Sequence, residues 1–229
     1  MVLHIANGTA LKAYLTNKCS VHEEIIAFNE SMITGESNEK IFSDTFFQMR
    51  ARSLNVEYDQ YVKSTVAELD KLLKKPYDKI TLWFDEDMFC QINLLTLCAY
   101  LDYINYEGIV QLNIIRQDFW NYNDLLALVI KSYELNLQGY YSLYQDVMLR
   151  KTFNTKSSYR AIKEMEKGIK LYENYVSDNS EIRSAIVDMI KDNRSREFIV
   201  KEIIKKYPNY GIGDYNIELL YQKEISRQT

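Results

Sequence analysis

Glycine and proline are scarce in this sequence, 7 and 2 among 229 residues. That is about 4% against a usual share of roughly 12%, so few residues interrupt helices and long helical segments are expected. Cysteine is sparse too: Cys19, Cys90 and Cys98 are an odd number without ligand-type spacing. A disulfide framework and a zinc site are both argued against, no metal is expected, and Cys90 and Cys98 read as core residues. Only His4 and His22 are present, which leaves a Ser-His-Asp or Cys-His mechanism short of bases. Cys19 and His22, three residues apart, form a pair that nothing in the sequence orients. No apolar run approaches the roughly 18 residues of a membrane span, and the first residues lack a basic-then-apolar signal. The expectation is a cytoplasmic protein with no membrane partner. Neither G-x-G-x-x-G nor a Walker sequence occurs, against a standard dinucleotide or nucleoside triphosphate site.

What is present is apolar content, 47% of the chain, and a charge split hidden in a net charge of -4. Residues 1–149 hold 12 Lys/Arg and 20 Asp/Glu, and residues 150–229 hold 16 and 12, so the front is near -8 and the rear near +4. Such a split lets the halves attract each other, or the rear approach an anionic partner.

The pattern along the chain is strand, helix, strand. Val2–Ile5 is an apolar run stopped by Asn7, Gly8 and Thr9, and Ala10, Leu11, Ala13 and Leu15 then suit a helix. Ile25–Phe28 gives a second strand, ended by Asn29 and Glu30, with a polar loop through Gly35–Asn38. Residues 39–75 have helical spacing that fits two helices, closed by Pro76. Lys79–Phe84 and Val110–Ile115 are strands three and four, separated by a helix carrying Leu94, Leu97, Cys98 and Leu101. Alternating strands and helices imply parallel pairing through right-handed crossovers. The expected fold is α/β, a small Rossmann-like parallel sheet with flanking helices over residues 1–118, followed by an all-helical domain over 119–229. Beyond Asp118 no strand is expected. Helical stripes run through Ile162–Val176, Ile182–Ile190 and Val200–Tyr207, and a turn at Asn209–Asp214 precedes a last helix, Tyr215–Ser226.

Ligands of open parallel sheets bind beyond the carboxyl ends of the strands. The polar residues placed there are Asn7, Gly8 and Thr9; Asn29 and Glu30; Asp85, Glu86 and Asp87; and Arg116, Gln117 and Asp118. Gly8 would let backbone approach a ligand, and the helix start behind it favours an anion. The plainer reading is a turn with Thr9 as helix cap. The carboxylates 85–87 could hold magnesium or supply a base, whereas Asp87 could equally cap the helix starting near Met88. Arg194, Arg196, Lys201, Lys205 and Lys206 form the most basic stretch. Glu197 with Lys201 and Glu202 with Lys206 make it read as a solvated helix face before a nucleic-acid surface.

Three front segments resemble a bacterial family, domain-of-unknown-function family 1835. They are Leu3–Leu11 (LHIANGTAL), Phe28–Glu36 (FNESMITGE) and Leu82–Leu95 (LWFDEDMFCQINLL), and in the rear Tyr210–Ile217 (YGIGDYNI) is similar to a turn of its attached helical domain. Thr9 and Ala10 stand where that family has Asp and Ser, Asn29 where it has Arg, Glu86 where it has His, and Cys90 where it has Asp. Gly8, Glu30, Gly35, Asp87, Gln91, Gly213 and Asp214 match. The family has no assigned activity, so the resemblance implies the α/β-then-helical fold and no reaction.

The leading expectation is a site for a small polar molecule or nucleotide formed by Asn7, Gly8, Thr9, Asn29, Glu30, Asp85, Asp87 and Gln91. Glu30 and Asp87 are its candidate catalytic groups, and its cofactor is left open. The alternative is a regulatory protein whose helical rear binds a partner protein or nucleic acid. A homo-oligomer packed through the helical halves is a third arrangement.

Overall fold

The computed structural model describes residues 1–19, 21–153 and 161–227. The chain runs β1 (Val2–Ala6), α1 (Thr9–Asn17), β2 (Glu24–Ala27) and α2 (Asp44–Ser53), then α3 (Tyr58–Tyr61), which continues through a π turn at Val62–Val66 into α4 (Ala67–Lys74). Next come β3 (Lys79–Phe84), α5 (Met88–Tyr103), β4 (Ile109–Ile115), a 3₁₀ turn at Phe119–Asn121, α6 (Leu125–Leu128) and β5 (Val129–Glu134). The rear holds α7 (Tyr140–Tyr144) with a π turn at Gln145–Leu149, α8 (Lys163–Val176), α9 (Glu181–Lys191), α10 (Arg196–Lys206), a 3₁₀ turn at Pro208–Tyr210 and α11 (Asp214–Ser226).

The strands form one sheet in the order β2-β1-β3-β4-β5. The first four are parallel, with Leu82 beside Ile5 and Leu112 beside Leu82, and β5 runs antiparallel to β4. Because side chains alternate across a strand, the sheet feeds two cores. Leu3, Ile5, Ile80, Leu82, Phe84, Leu112 and Ile114 face the larger one, shared with α2, α5 and the rear helices. Ala6, Ile25, Trp83 and Ile115 face a smaller one, covered by Leu11, Tyr14 and Leu15 of α1 and by Leu128. The α/β-then-helical architecture is therefore as the residue pattern implies, and no helix among the described residues is long and apolar enough to cross a membrane.

One expectation needs correction. A strand does occur beyond Asp118: the sheet continues through β5, past the boundary expected at 118/119. Its VIKSYE sequence is mostly exposed edge, so it is held by its ladder to β4 and carries no buried apolar face for a pattern to reveal. The larger core extends beyond the sheet, for Met165, Ile169, Ile199, Ile203, Tyr210 and Ile217 belong to the same cluster as the strand residues.

Helix α5 explains that continuity. Twelve of its 16 residues are buried, since it lies between the sheet, α7 and α8, and a helix enclosed on all sides is apolar all round. The α8 backbone comes close at Gly168, where a Cβ would stand 2.6 Å from Gln91 Cβ; only a residue without a side chain fits there.

Candidate functional site

Strand order reverses between β1 and β3: from β1 the chain crosses to β2 on one side, and from β3 to β4 on the other. The loops leaving β1 and β3 therefore part at their carboxyl ends, which is where open α/β sheets leave a crevice. Asn7 leaves β1 and Asp85–Asp87 leaves β3, with the Asn7 N–H still bonded to the Trp83 carbonyl at 3.1 Å.

Buried amides tie these ends together. Asn93 Nδ2 donates to Asn7 Oδ1 at 2.9 Å and to the Glu30 carbonyl at 2.8 Å, and Asn93 Oδ1 accepts from the Met32 N–H at 3.0 Å. One side chain of α5 thus fixes the ends of β1 and β2 relative to each other. Asn7 Nδ2 in turn donates to Cys90 Sγ at 2.7 Å, in the first turn of α5.

Asp87 is the N-cap of α5, its Oδ1 accepting from the Cys90 N–H at 2.7 Å, and Asp85 Oδ1 accepts from the Asp87 N–H at 2.9 Å. The capping reading of Asp87 is thus the arrangement observed. One carboxylate oxygen of Asp85, one of Asp87 and Cys90 Sγ lie within 4.8 Å of one another. Burial pushes the Asp87 carboxyl well above the usual carboxylate range, with the neighbouring Asp85 charge adding to it. Burial also raises Asp85, partly opposed by the hydrogen bond from the Asp87 N–H. Cys90 is pushed well up, first by burial and then by the two carboxyls, so its thiol is a neutral group. Two carboxyls this close hold one proton more readily than two charges.

The pair forms the floor of a cleft of 240 Å³ lined by Asp85, Asp87, Gln117, Ile204, Tyr207, Pro208, Gly211 and Ile212. Its far wall is the 3₁₀ turn between α10 and α11. Gly211 has φ +62, and a Cβ there would overlap the Asp87 carboxyl. Glycine is required at this place both for its left-handed backbone and for the approach. The rear turn is legible in the sequence; its seat on Asp87 is not.

The other expected residues divide. Gly8, with φ +97 and nothing within 4 Å of where a Cβ would be, is itself the N-cap residue of α1 and supplies no side-chain cap bond. Thr9 is inside the helix and does not cap it: its hydroxyl donates to Asn29 Oδ1 at 3.0 Å, and Asn29 Nδ2 donates to the Ser64 carbonyl at 2.8 Å. Gln91 is fully buried, its Nε2 on the Asp85 carbonyl at 2.6 Å and its Oε1 without a partner among the described residues. Glu86 is exposed beside the cluster. Glu30 does not reach the cleft. Its carboxylate is enclosed by Arg50, 3.0 Å away with both side chains fully buried, and accepts from the Tyr61 hydroxyl and the Ser31 N–H. Arg50 also donates to the Ser31, Thr34 and Glu36 carbonyls at 2.7 to 2.8 Å. Glu30 is thereby the anchor of the loop after β2, and Arg50, an unremarkable letter in α2, is the residue that holds it.

Elsewhere, Cys19 is half-buried and His22 exposed, and all three cysteines are free. In the basic stretch Arg196 pairs with Glu218 at 3.2 Å, Arg194 stands over the Phe198 ring and Lys206 over that of Tyr207. Comparison with family models, with curated proteins and with solved structures finds no match to this chain.

Proposed function

We propose that this chain binds a small polar molecule in the cleft between the β3 loop and the Tyr207–Ile212 turn. The observation that carries this reading is the position of Asp85 and Asp87. They stand where the strand order reverses, and they are left facing open space although burial opposes their charge. A structural cap needs one carboxylate, and Asp87 alone supplies it.

The second half of the chain closes the site, supplying Ile204, Tyr207, Pro208, Gly211 and Ile212. Ligand binding is thereby coupled to the docking of α10 and α11 on the sheet. Kinship with domain-of-unknown-function family 1835 belongs to the same proposal. It is supported by the nearness of the shared residues Asp87 and Gln91 to the cleft and by the shared Tyr210–Ile217 turn, which includes Gly211 and Ile212. A cytoplasmic location is proposed with it, supported by three unpaired thiols.

The test is thermal unfolding of the whole chain against a panel of charged and neutral metabolites, nucleotides included. A ligand at 100 times its Kd stabilises by about 2.7 kcal/mol, and Tyr207→Ala removes part of the wall and should reduce that gain. No shift from any compound across the panel would refute the site.

A further inference from the structure

We infer that the occupant of this cleft is a small organic cation, a primary amine or guanidinium carried on a short apolar stem. The inference rests on the reading of the cleft as a binding site and adds the ligand's charge and shape. Three features of the site point to it.

The floor is anionic and has no counter-ion. Asp85 and Asp87 both line the cleft, and no lysine or arginine is among the residues that line it. Asp87 is only 7% exposed, and the one N–H its carboxyl accepts from a described residue is that of Cys90, its other side-chain partners being the Asp85 carboxyl and the Cys90 thiol. An N–H donor on a cation entering the cleft would give this acid pair the positive partner that no residue of the lining supplies.

The walls are apolar: Ile204, Tyr207, Pro208 and Ile212 stand around the two carboxyls, with the Gln117 amide at the rim. A bare divalent ion would gain nothing from these side chains, whereas methylene groups behind an ammonium would bury against them. Cys90, the third group that a metal would recruit, is absent from the lining and is held from behind by Asn7 Nδ2.

The size fits as well. A volume of 240 Å³ is about eight waters at roughly 30 Å³ each, room for a butyl-sized stem and one cationic head. A single Lys or Arg side chain of another protein presents the same chemistry, and the assay separates that source from a free amine.

The experiment is a calorimetric titration of the full chain with n-butylamine, 1,4-diaminobutane and butylguanidinium, set against n-butanol, butyrate, Mg²⁺, Mn²⁺, Zn²⁺ and a lysine-rich peptide. The amines and the guanidinium should bind saturably, and butanol and butyrate should not. Asp87→Asn keeps a good helix cap and should weaken butylamine roughly 10- to 100-fold, the loss of one charge-assisted bond. Tyr207→Ala should weaken butylamine more than methylamine. Saturable binding of the peptide with free amines inert would assign the site to a protein-borne cation and still support the recognised chemistry. Binding of butanol or butyrate with the amines inert overturns the inference and leaves the cleft a site. Binding of a divalent ion alone overturns it in favour of a metal centre built on Asp85, Asp87 and Cys90. Equal amine affinity in wild type and Asp87→Asn overturns it as well, and silence from every probe removes both the inference and the reading beneath it.

Discussion

Gly211→Ala tests the junction between the sheet and the rear turn most directly. Two separate costs fall on that methyl. At φ +62 an alanine pays for left-handed backbone, about 1 to 2 kcal/mol. Its Cβ would also lie well inside 3.0 Å of Cγ, Oδ1 and Oδ2 of Asp87, a separation real Cβ atoms do not show. The cap of α5 holds that carboxyl in place, so either the turn or the cap must move by about an ångström, and overpacking of this kind costs about 1 to 3 kcal/mol. The sum is about 2 to 5 kcal/mol. With an unfolding entropy of about 2.1 cal/mol/K per residue over 229 residues, each kcal/mol lowers Tm by about 2 °C, so a fall of about 4 to 10 °C is expected. A change of background separates the terms by urea unfolding. In an Asp87→Ser background, which keeps a capping oxygen and removes most of the carboxyl, Gly211→Ala should cost about 1 to 3 kcal/mol less than in wild type, a coupling typical of residues in contact. A cost below about 1 kcal/mol, or the same cost in both backgrounds, would refute the claim that the rear turn is seated on Asp87.

Arg50→Lys should destabilise by about 3 to 5 kcal/mol in urea unfolding, because it leaves the buried Glu30 carboxylate and three loop carbonyls without the guanidinium fork; a loss under 1 kcal/mol would contradict the anchoring role. Tyr61→Phe removes one donor to that carboxylate, and about 1 to 3 kcal/mol should go with it in the same assay. His4 is kept neutral, its Nδ1 accepting from Trp83 Nε1 at 3.0 Å, and burial lowers its pKa below 6.5 despite Glu23 nearby. Since the unfolded state takes up the proton first, stability from this group is complete above pH 6.5 and declines as pH falls below it, so the gap between urea midpoints at pH 7.5 and 5.5 should shrink in His4→Gln. The acid pair has the opposite sign: its folded pKa values lie above the ordinary 3.8, so its contribution is complete below that value and is lost as pH rises. Asp87→Asn should accordingly gain on wild type between pH 5 and pH 8, and a constant difference would show that the two carboxyls do not share a proton.

Much of the frame was legible because burial leaves a mark in sequence. Strands β1 to β4 are apolar runs because both faces of a parallel strand are covered, and their polar ends follow at once: Asn7, Asn29, Asp85 and Gln117 stand where the runs stop. β5 left no such mark. An edge strand half in water needs only a neighbour with a free ladder, and Val129–Glu134 acquires its conformation from β4. Contacts between distant positions were illegible for the same reason. Nothing in the letters around Arg50 distinguishes it from Arg52 one turn face away, yet the first is fully buried and the second lies on the surface.

The same distinction separates the two acids that the sequence offers as candidates. Glu30 and Asp87 look equivalent as acids at strand ends, and Asn93 of the helix that Asp87 caps reaches the Glu30 carbonyl. What separates them is the partner that each finds across the fold. Glu30 meets a guanidinium and a phenol that use its oxygens fully, so its charge is settled within the protein. Asp87 meets another carboxyl, a thiol and a glycine, none of which supplies a positive charge. A buried acid compensated by its own chain is architecture; one left facing a cleft has no such compensation, and that difference is why the site we propose lies at β3, with β2 as its support.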